Sequence, residues 1–112
     1  MELTSKQRAQ LRAMANSMET IFQVGKDGIG ENLISQVNDT LENRELIKGR
    51  VLDNNLEHDA RSAAQELAQA TRSEVVQVIG TRFVLYRESH SKPKEKRIEL
   101  IKPNKRKPRP KV

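Results

Sequence analysis

The apolar residues of this chain switch between two spacings, and each switch marks an element. Leu11, Met14 and Met18, with Ala9, Ala13 and Ala15, recur at helical steps behind Thr4 and Gln7. A T-x-x-Q pair at that place is a capping box, so a helix is predicted from Thr4 to about Asn16 or Ser17. Residues 19–24 alternate instead, with Phe22 and Val24 on one side and Ile21 and Gln23 on the other, which predicts a strand. Leu33, Ile34, Val37 and Leu41 restore helical spacing from Glu31 to Asn43 or Arg44. Residues 46–52 alternate again: Ile47, Gly49 and Val51 point one way, and Leu46, Lys48, Arg50 and Leu52 the other.

Behind the polar turn Asp53, Asn54 and Asn55, a third helix is outlined by Leu56, Ala60, Ala63, Ala64, Leu67 and Ala68 and runs to about Arg72. Asn55 is its expected N-cap, with Glu57, His58 and Asp59 in the first turn. Residues 74–79 and 82–87 are rich in β-branched and aromatic side chains, and Gly80-Thr81 between them suits a type II′ hairpin. The order is α-β-α-β-α-β-β. Strands joined through helices lie parallel and a hairpin is antiparallel. The expectation is therefore a two-layer α/β fold with a mixed four-stranded sheet and helices on at least one face.

One junction in this series carries candidate chemistry. Gly25, Lys26, Asp27, Gly28, Ile29 and Gly30 lead from a strand into the start of a helix. The first N–H groups of a helix have no partner within it, and the macrodipole makes that end favourable to an anion such as a phosphate. Gly25, Lys26, Asp27, Gly28 and Gly30 are thus candidate contacts to a nucleic-acid backbone. Lys48 and Arg50 share one side of their strand, and if helices cover the other side they are presented together. Tyr86 is the one aromatic candidate for base stacking, or else a core residue.

Composition narrows the function classes. A length of 112 residues allows one domain and a tail, and 35% hydrophobic residues with only Phe22, Phe83 and Tyr86 as aromatics describe a small aliphatic core. The absence of cysteine excludes disulfides and thiolate metal sites, and His58 and His90, the only histidines, stand far apart. There is no nucleophile and base at a workable spacing, so catalysis, cofactors, metals and small-molecule substrates are not expected. The first residues lack a signal peptide's apolar stretch and no window would span a bilayer, so a cytoplasmic monomer is expected.

Charge is unevenly placed. The net +6 is concentrated after Arg87, where ten basic residues stand against Glu88, Glu95 and Glu99. All four prolines, Pro93, Pro103, Pro108 and Pro110, fall there too. The expected organisation is a domain over residues 1–87 and a flexible basic tail over 88–112. Arg87, Lys92, Lys94, Lys96, Arg97, Lys105, Arg106 and Lys107 then extend the phosphate path begun by Lys48 and Arg50. A competing reading makes the protein an adaptor that docks on acidic partners through this tail, where Ile98, Leu100 and Ile101 form an apolar island.

Five stretches taken together resemble a known family. They are residues 3–8 with Leu11-Arg12, residues 23–28 around Gly25-Lys26-Asp27-Gly28, residues 45–48, residues 76–80, and Val84-Leu85-Tyr86-Arg87. In this order they are similar to the YhbY family, stand-alone bacterial versions of the CRM domain. The resemblance implies a fold like the C-terminal domain of translation initiation factor 3, RNA binding without catalysis, and ribosomal RNA in precursors of the large subunit as ligand. It also implies that the G-x-x-G loop acts as the one in KH domains does, clamping a nucleic-acid backbone. Two positions depart from the family: Asp27 stands where a basic or neutral residue is usual, and Gly30 where Ser or Thr would cap the helix.

Overall fold

The computed structural model describes residues 3–52 and 59–101. Its elements are α1 (Ser5–Ala15), β1 (Phe22–Val24), α2 (Glu31–Arg44), β2 (Leu46–Val51), α3 (Ala60–Thr71), β3 (Glu74–Ile79), β4 (Arg82–Tyr86) and a 3₁₀ turn, Lys94–Lys96. Strand order across the sheet is β1-β2-β4-β3, with β1 and β2 parallel and the other pairs antiparallel. The mixed four-stranded sheet expected from the element order is present.

Local chemistry sets several boundaries. Thr4 Oγ1 accepts from the Gln7 amide at 3.1 Å while Gln7 Oε1 accepts from the Thr4 amide at 3.0 Å, so the capping box opens α1 as expected. At the hairpin Gly80 has φ +59, and Thr81 is not among the positive-φ residues, the pattern of a type II′ turn. The start of α3 differs. Asp59 is extended at φ −92, ψ 178, and its carboxylate accepts from the Ser62 amide at 2.8 Å, so it caps the helix instead of lying in its first turn. Asn55, the expected cap, lies outside the described residues. With Ser62 Oγ accepting in turn from the Asp59 amide, this reciprocal cap satisfies two otherwise orphan donors.

The core has two parts, one on each face of the sheet. Helices α2 and α3 cover the first, where Val37, Leu41, Ala63, Ala64 and Leu67 pack on Phe22, Val24, Ile47, Phe83 and Leu85. These are the expected two layers. Helix α1 goes to the other face and adds a third, with Leu11 and Ala15 packed on Leu46, Val76, Val84 and Tyr86. On the first face Phe22, Gly49 and Phe83 form one cross-strand row. The two phenyl rings meet edge to face at 5.6 Å, and a Cβ on Gly49 would stand 2.3 Å from the Phe22 ring. Glycine is required there by close approach.

The expected boundary at Arg87 is not where packing ends. Ser89 is fully buried, and Ile98 and Leu100 pack against the α1 cluster. The side chain of Gln7 donates to the Ile101 carbonyl at 2.9 Å, and Gln10 both donates to the Glu99 carbonyl and accepts from the Ile101 amide, each at 2.7 Å. Residues 88–101 are therefore a strap laid on the body, not part of a loose tail. The apolar island of the adaptor reading is largely spent on this contact, leaving only Ile101 substantially exposed, at 47%.

Candidate nucleic-acid interface

The glycine loop begins where β1 ends. The Gly28 amide donates to the Gly25 carbonyl at 3.0 Å, closing a turn whose central residues, Lys26 and Asp27, are exposed. Ile29 tucks against the larger core and anchors the bend. Gly30 then caps α2 without a side-chain hydrogen bond, and the first helical bond runs from the Ile34 amide to the Gly30 carbonyl at 3.0 Å. The Glu31, Asn32 and Leu33 amides accordingly have no acceptor among the described residues. The loop thus offers donors, with the Gly28 amide already engaged.

Electrostatics temper that offer. The hollow beside the helix start is lined by Asp27, Gly28, Gly30, Glu31, Asn32, Leu33 and Gln36, which include two carboxylates and no cation. Both acids suit the helix dipole, and both repel phosphate. Lys26 supplies the loop's single positive charge. The loop alone is therefore a weak anion site, and its partner in charge must come from elsewhere.

That partner lies on the sheet. The register places Gln23 opposite Arg50, Arg50 opposite Arg82, and Arg82 opposite Ile79, so four strands contribute one row on the α1 face. Like charges directly opposite across strands are unfavourable unless a counter-charge intervenes. Neither arginine has an acidic partner among the described residues, and the Arg50 Nε is buried without a hydrogen bond. Lys48 occupies the next row on this face, and its ammonium donates to the Met18 carbonyl at 3.0 Å. Because β1 and β2 are parallel, the row and the glycine loop lie at the same end of the sheet. Arg82 was not among the residues singled out from sequence. Its hairpin was legible, but its position against Arg50 depends on a pairing between β2 and β4 that no local pattern reveals.

The other expected contacts are distributed differently. Arg87 is spent internally: its guanidinium donates to Asn38 Oδ1 at 2.6 Å, the Thr71 carbonyl at 2.9 Å, the Asn38 carbonyl at 3.0 Å and Glu42 at 3.2 Å. With its side chain 15% exposed, it ties α2 to the end of α3, so its guanidinium already has internal partners where an RNA contact was expected. Lys92 donates to the Asn43 carbonyl at 3.2 Å, and Arg97 bonds the Lys92 carbonyl at 2.9 Å and Glu88 at 3.3 Å. These groups lie towards the start of β2, about 17 Å along the strand from its far end at ~3.3 Å per residue. Lys94 and Lys96 are exposed, while Lys105, Arg106 and Lys107 lie outside the described residues. Tyr86 is 1% exposed, and burial pushes its phenol up to about 12, which makes it core and not a stacking platform.

The uncapped start of α2 makes a direct test available. A Cβ on Gly30 would meet nothing within 4 Å, so Gly30→Ser fits without strain. Its hydroxyl would accept from an amide of the first turn, and stability should rise by a few tenths of a kcal/mol in urea denaturation. If those amides hold phosphate, RNA affinity measured in parallel should fall. Equal or tighter RNA binding by the stabilised variant would remove the helix start from the interface.

Among the described residues no group of three or more His, Asp or Glu could hold a metal, and no helix is long and apolar enough to cross a membrane. Comparison with known proteins brings the family into view. The solution structure of SAV1595 from Staphylococcus aureus superposes with a TM-score of 0.71 and 55% sequence identity, covering 89% of this chain and 100% of that one. The Bacillus subtilis protein named "Probable RNA-binding protein YqeI" is 47% identical over 98 residues, 88% of this chain and 98% of its own. A Haemophilus influenzae protein named "RNA-binding protein" is 29% identical over 98 residues, covering 88% and 94%. A family description, "CRS1 / YhbY (CRM) domain", matches residues 3–87, from just before the α1 cap to the Arg87 clamp, and the chain belongs to that family.

Proposed function

We propose that this protein binds ribosomal RNA in precursors of the large ribosomal subunit and assists their assembly as a monomer in the cytoplasm, without catalysis. The observation that carries the RNA reading is the Arg50–Arg82 pair, two guanidiniums opposed across strands with no acidic partner among the described residues, at the loop end of the sheet. A polyanion relieves that repulsion, and the open amides at the start of α2 can take a neighbouring phosphate. The names of the Bacillus subtilis and Haemophilus influenzae relatives support RNA as the polymer. The ribosomal assignment rests on the likeness to the YhbY family. Phosphate contacts position a ligand without reading its bases, so this part of the interface favours RNA shape over sequence.

Crosslinking in cells followed by sequencing of the attached RNA tests the assignment. Large-subunit ribosomal RNA, enriched in fractions that precede the mature subunit, is expected. Enrichment of messenger or transfer RNA instead would refute it.

Because residues 88–101 belong to the body, a tail deletion should begin at Lys102. That removes Lys102, Lys105, Arg106, Lys107, Arg109 and Lys111 while keeping the strap. If about five of these cations neutralise phosphates, log K against log[salt] should flatten by about 3.5 to 4.5. An unchanged slope would exclude these residues from binding.

A further inference from the structure

Next to the arginine row, and sharing Lys48 and Arg82 with the basic face, the sheet carries a small cleft. Its floor is Val84 and one wall is the end of α1, through Ala15 and Asn16; the cleft encloses about 130 Å³. Lys48, Gln77, Ile79 and Arg82 form the rest of the lining together with Phe83. We propose that this cleft seats one unstacked nucleobase of a bound single-stranded RNA segment, with Arg82 and Arg50 holding the adjoining phosphate. The inference rests on the RNA reading above and adds to it a site that contacts a base.

Size, lining and charge each favour this occupant. Cavities of about 150 Å³ take up a single benzene ring, so this cleft is of the size for one heteroaromatic ring and too small for a folded segment. Asn16 and Gln77 bring side-chain amides, each with two donors and an acceptor, the same groups that a base edge presents. Gln77 reaches this face because of a bulge. The register runs Val75 to Leu85 and then Gln77 to Val84, so Val76 is extra and both it and Gln77 turn towards the α1 side. Bulges commonly re-aim one side chain in this way.

Stacking has a surface too. All three aromatic rings are buried, so a base cannot stack on an aromatic side chain here. Ile79 is 63% exposed, the most exposed large hydrophobic side chain among the described residues, and stands opposite Arg82 in the register. An aliphatic side chain and a guanidinium plane on neighbouring strands can cover the face of a base, and arginine planes serve this purpose in RNA recognition. The Arg50–Arg82 pair beside them, without an acidic partner among the described residues, favours an anionic ligand over a neutral apolar peptide.

The test uses the full chain. The Ile79 methyl and the Asn16 and Gln77 side-chain amide resonances are followed by NMR during titration with ribonucleoside 5′-monophosphates and, separately, inorganic phosphate. Nucleotides are expected to shift these signals saturably, and phosphate alone is not. In parallel, Ile79→Ser with Gln77→Ala should weaken binding of a single-stranded 12-mer about tenfold and leave a duplex of equal length unaffected. Asn16→Ala, outside the sheet, should act in the same direction and guards against misfolding of the first variant. An equal response to phosphate and nucleotide, or equal losses for single strand and duplex, overturns the base site alone. An unaltered chain that binds neither polymer overturns the RNA reading itself and the cleft with it.

Discussion

Replacing Arg82 by glutamate is expected to move stability and RNA affinity in opposite directions. The side chain is exposed and lies directly across from Arg50, so Arg82→Glu converts a like-charge pair into an opposite-charge one. Cross-strand pairs of that kind contribute roughly 0.2–1 kcal/mol, and the urea midpoint should rise accordingly. Binding should suffer, because a charge-assisted contact of about 1.5–3 kcal/mol is lost and a repulsion takes its place. At 1.4 kcal/mol per tenfold, affinity for RNA should fall at least about tenfold, and at least about 100-fold when Arg50→Glu is added. A protein that merely tolerates two opposed arginines would gain stability with no change in RNA binding, and that result would dismiss the row as an interface. Loss of both stability and binding would show instead that Arg82 supports the fold.

The contrast between Arg82 and Arg50 illustrates which parts of this molecule sequence could disclose. Features closed within a few residues were readable: the Thr4–Gln7 box, the Gly80-Thr81 hairpin, and the alternation that puts Lys48 and Arg50 on one side of β2. Each is set by backbone geometry and near neighbours, and the structure keeps all three. What depended on distant pairing was not readable. Periodicity told that α1 has an apolar face but not which side of the sheet it covers, and Met14, expected on that face, is substantially exposed. Asn55 and Asp59 are both good caps, and the reciprocal bonds with Ser62 decide for Asp59. The bulge at Val76 breaks an alternation that looks regular as written. Sequence shows a charge and not its partners, so nothing in it reveals the four acceptors that surround Arg87.

Glu45 is the clearest case of a residue whose importance is invisible until the chain is folded, and its removal should be costly. It ends α2 at a positive φ of +69, with its carboxylate fully buried. One oxygen accepts from the Ser89 amide at 2.7 Å and the other from the Ile98 amide at 2.6 Å, so a single side chain fastens the strap at two points 9 residues apart. Glu45→Ala leaves both amides without an acceptor, at about 1–3 kcal/mol each if they stay buried. The chain can limit that loss by releasing the strap to water, so a total near 3 kcal/mol is expected in urea denaturation, with faster hydrogen exchange at Ser89 and Ile98. Neighbouring Glu42 accepts from the Ser91, His90 and Ser89 groups, and these bonds, Ser91 foremost, lower its carboxyl from 4.5 to about 2. A carboxylate depressed in the folded state stabilises above its ordinary range, and that contribution is lost as pH falls from about 4.5 towards 2. Protection factors at His90 and Ser91, exchange taken relative to the intrinsic rate at each pH, should therefore fall across that acid window in the unaltered protein, and Glu42→Gln should remove that fall. Strap amides that remain protected in Glu45→Ala at neutral pH would show that apolar packing of Ile98 and Leu100 holds the segment without its carboxylate anchor.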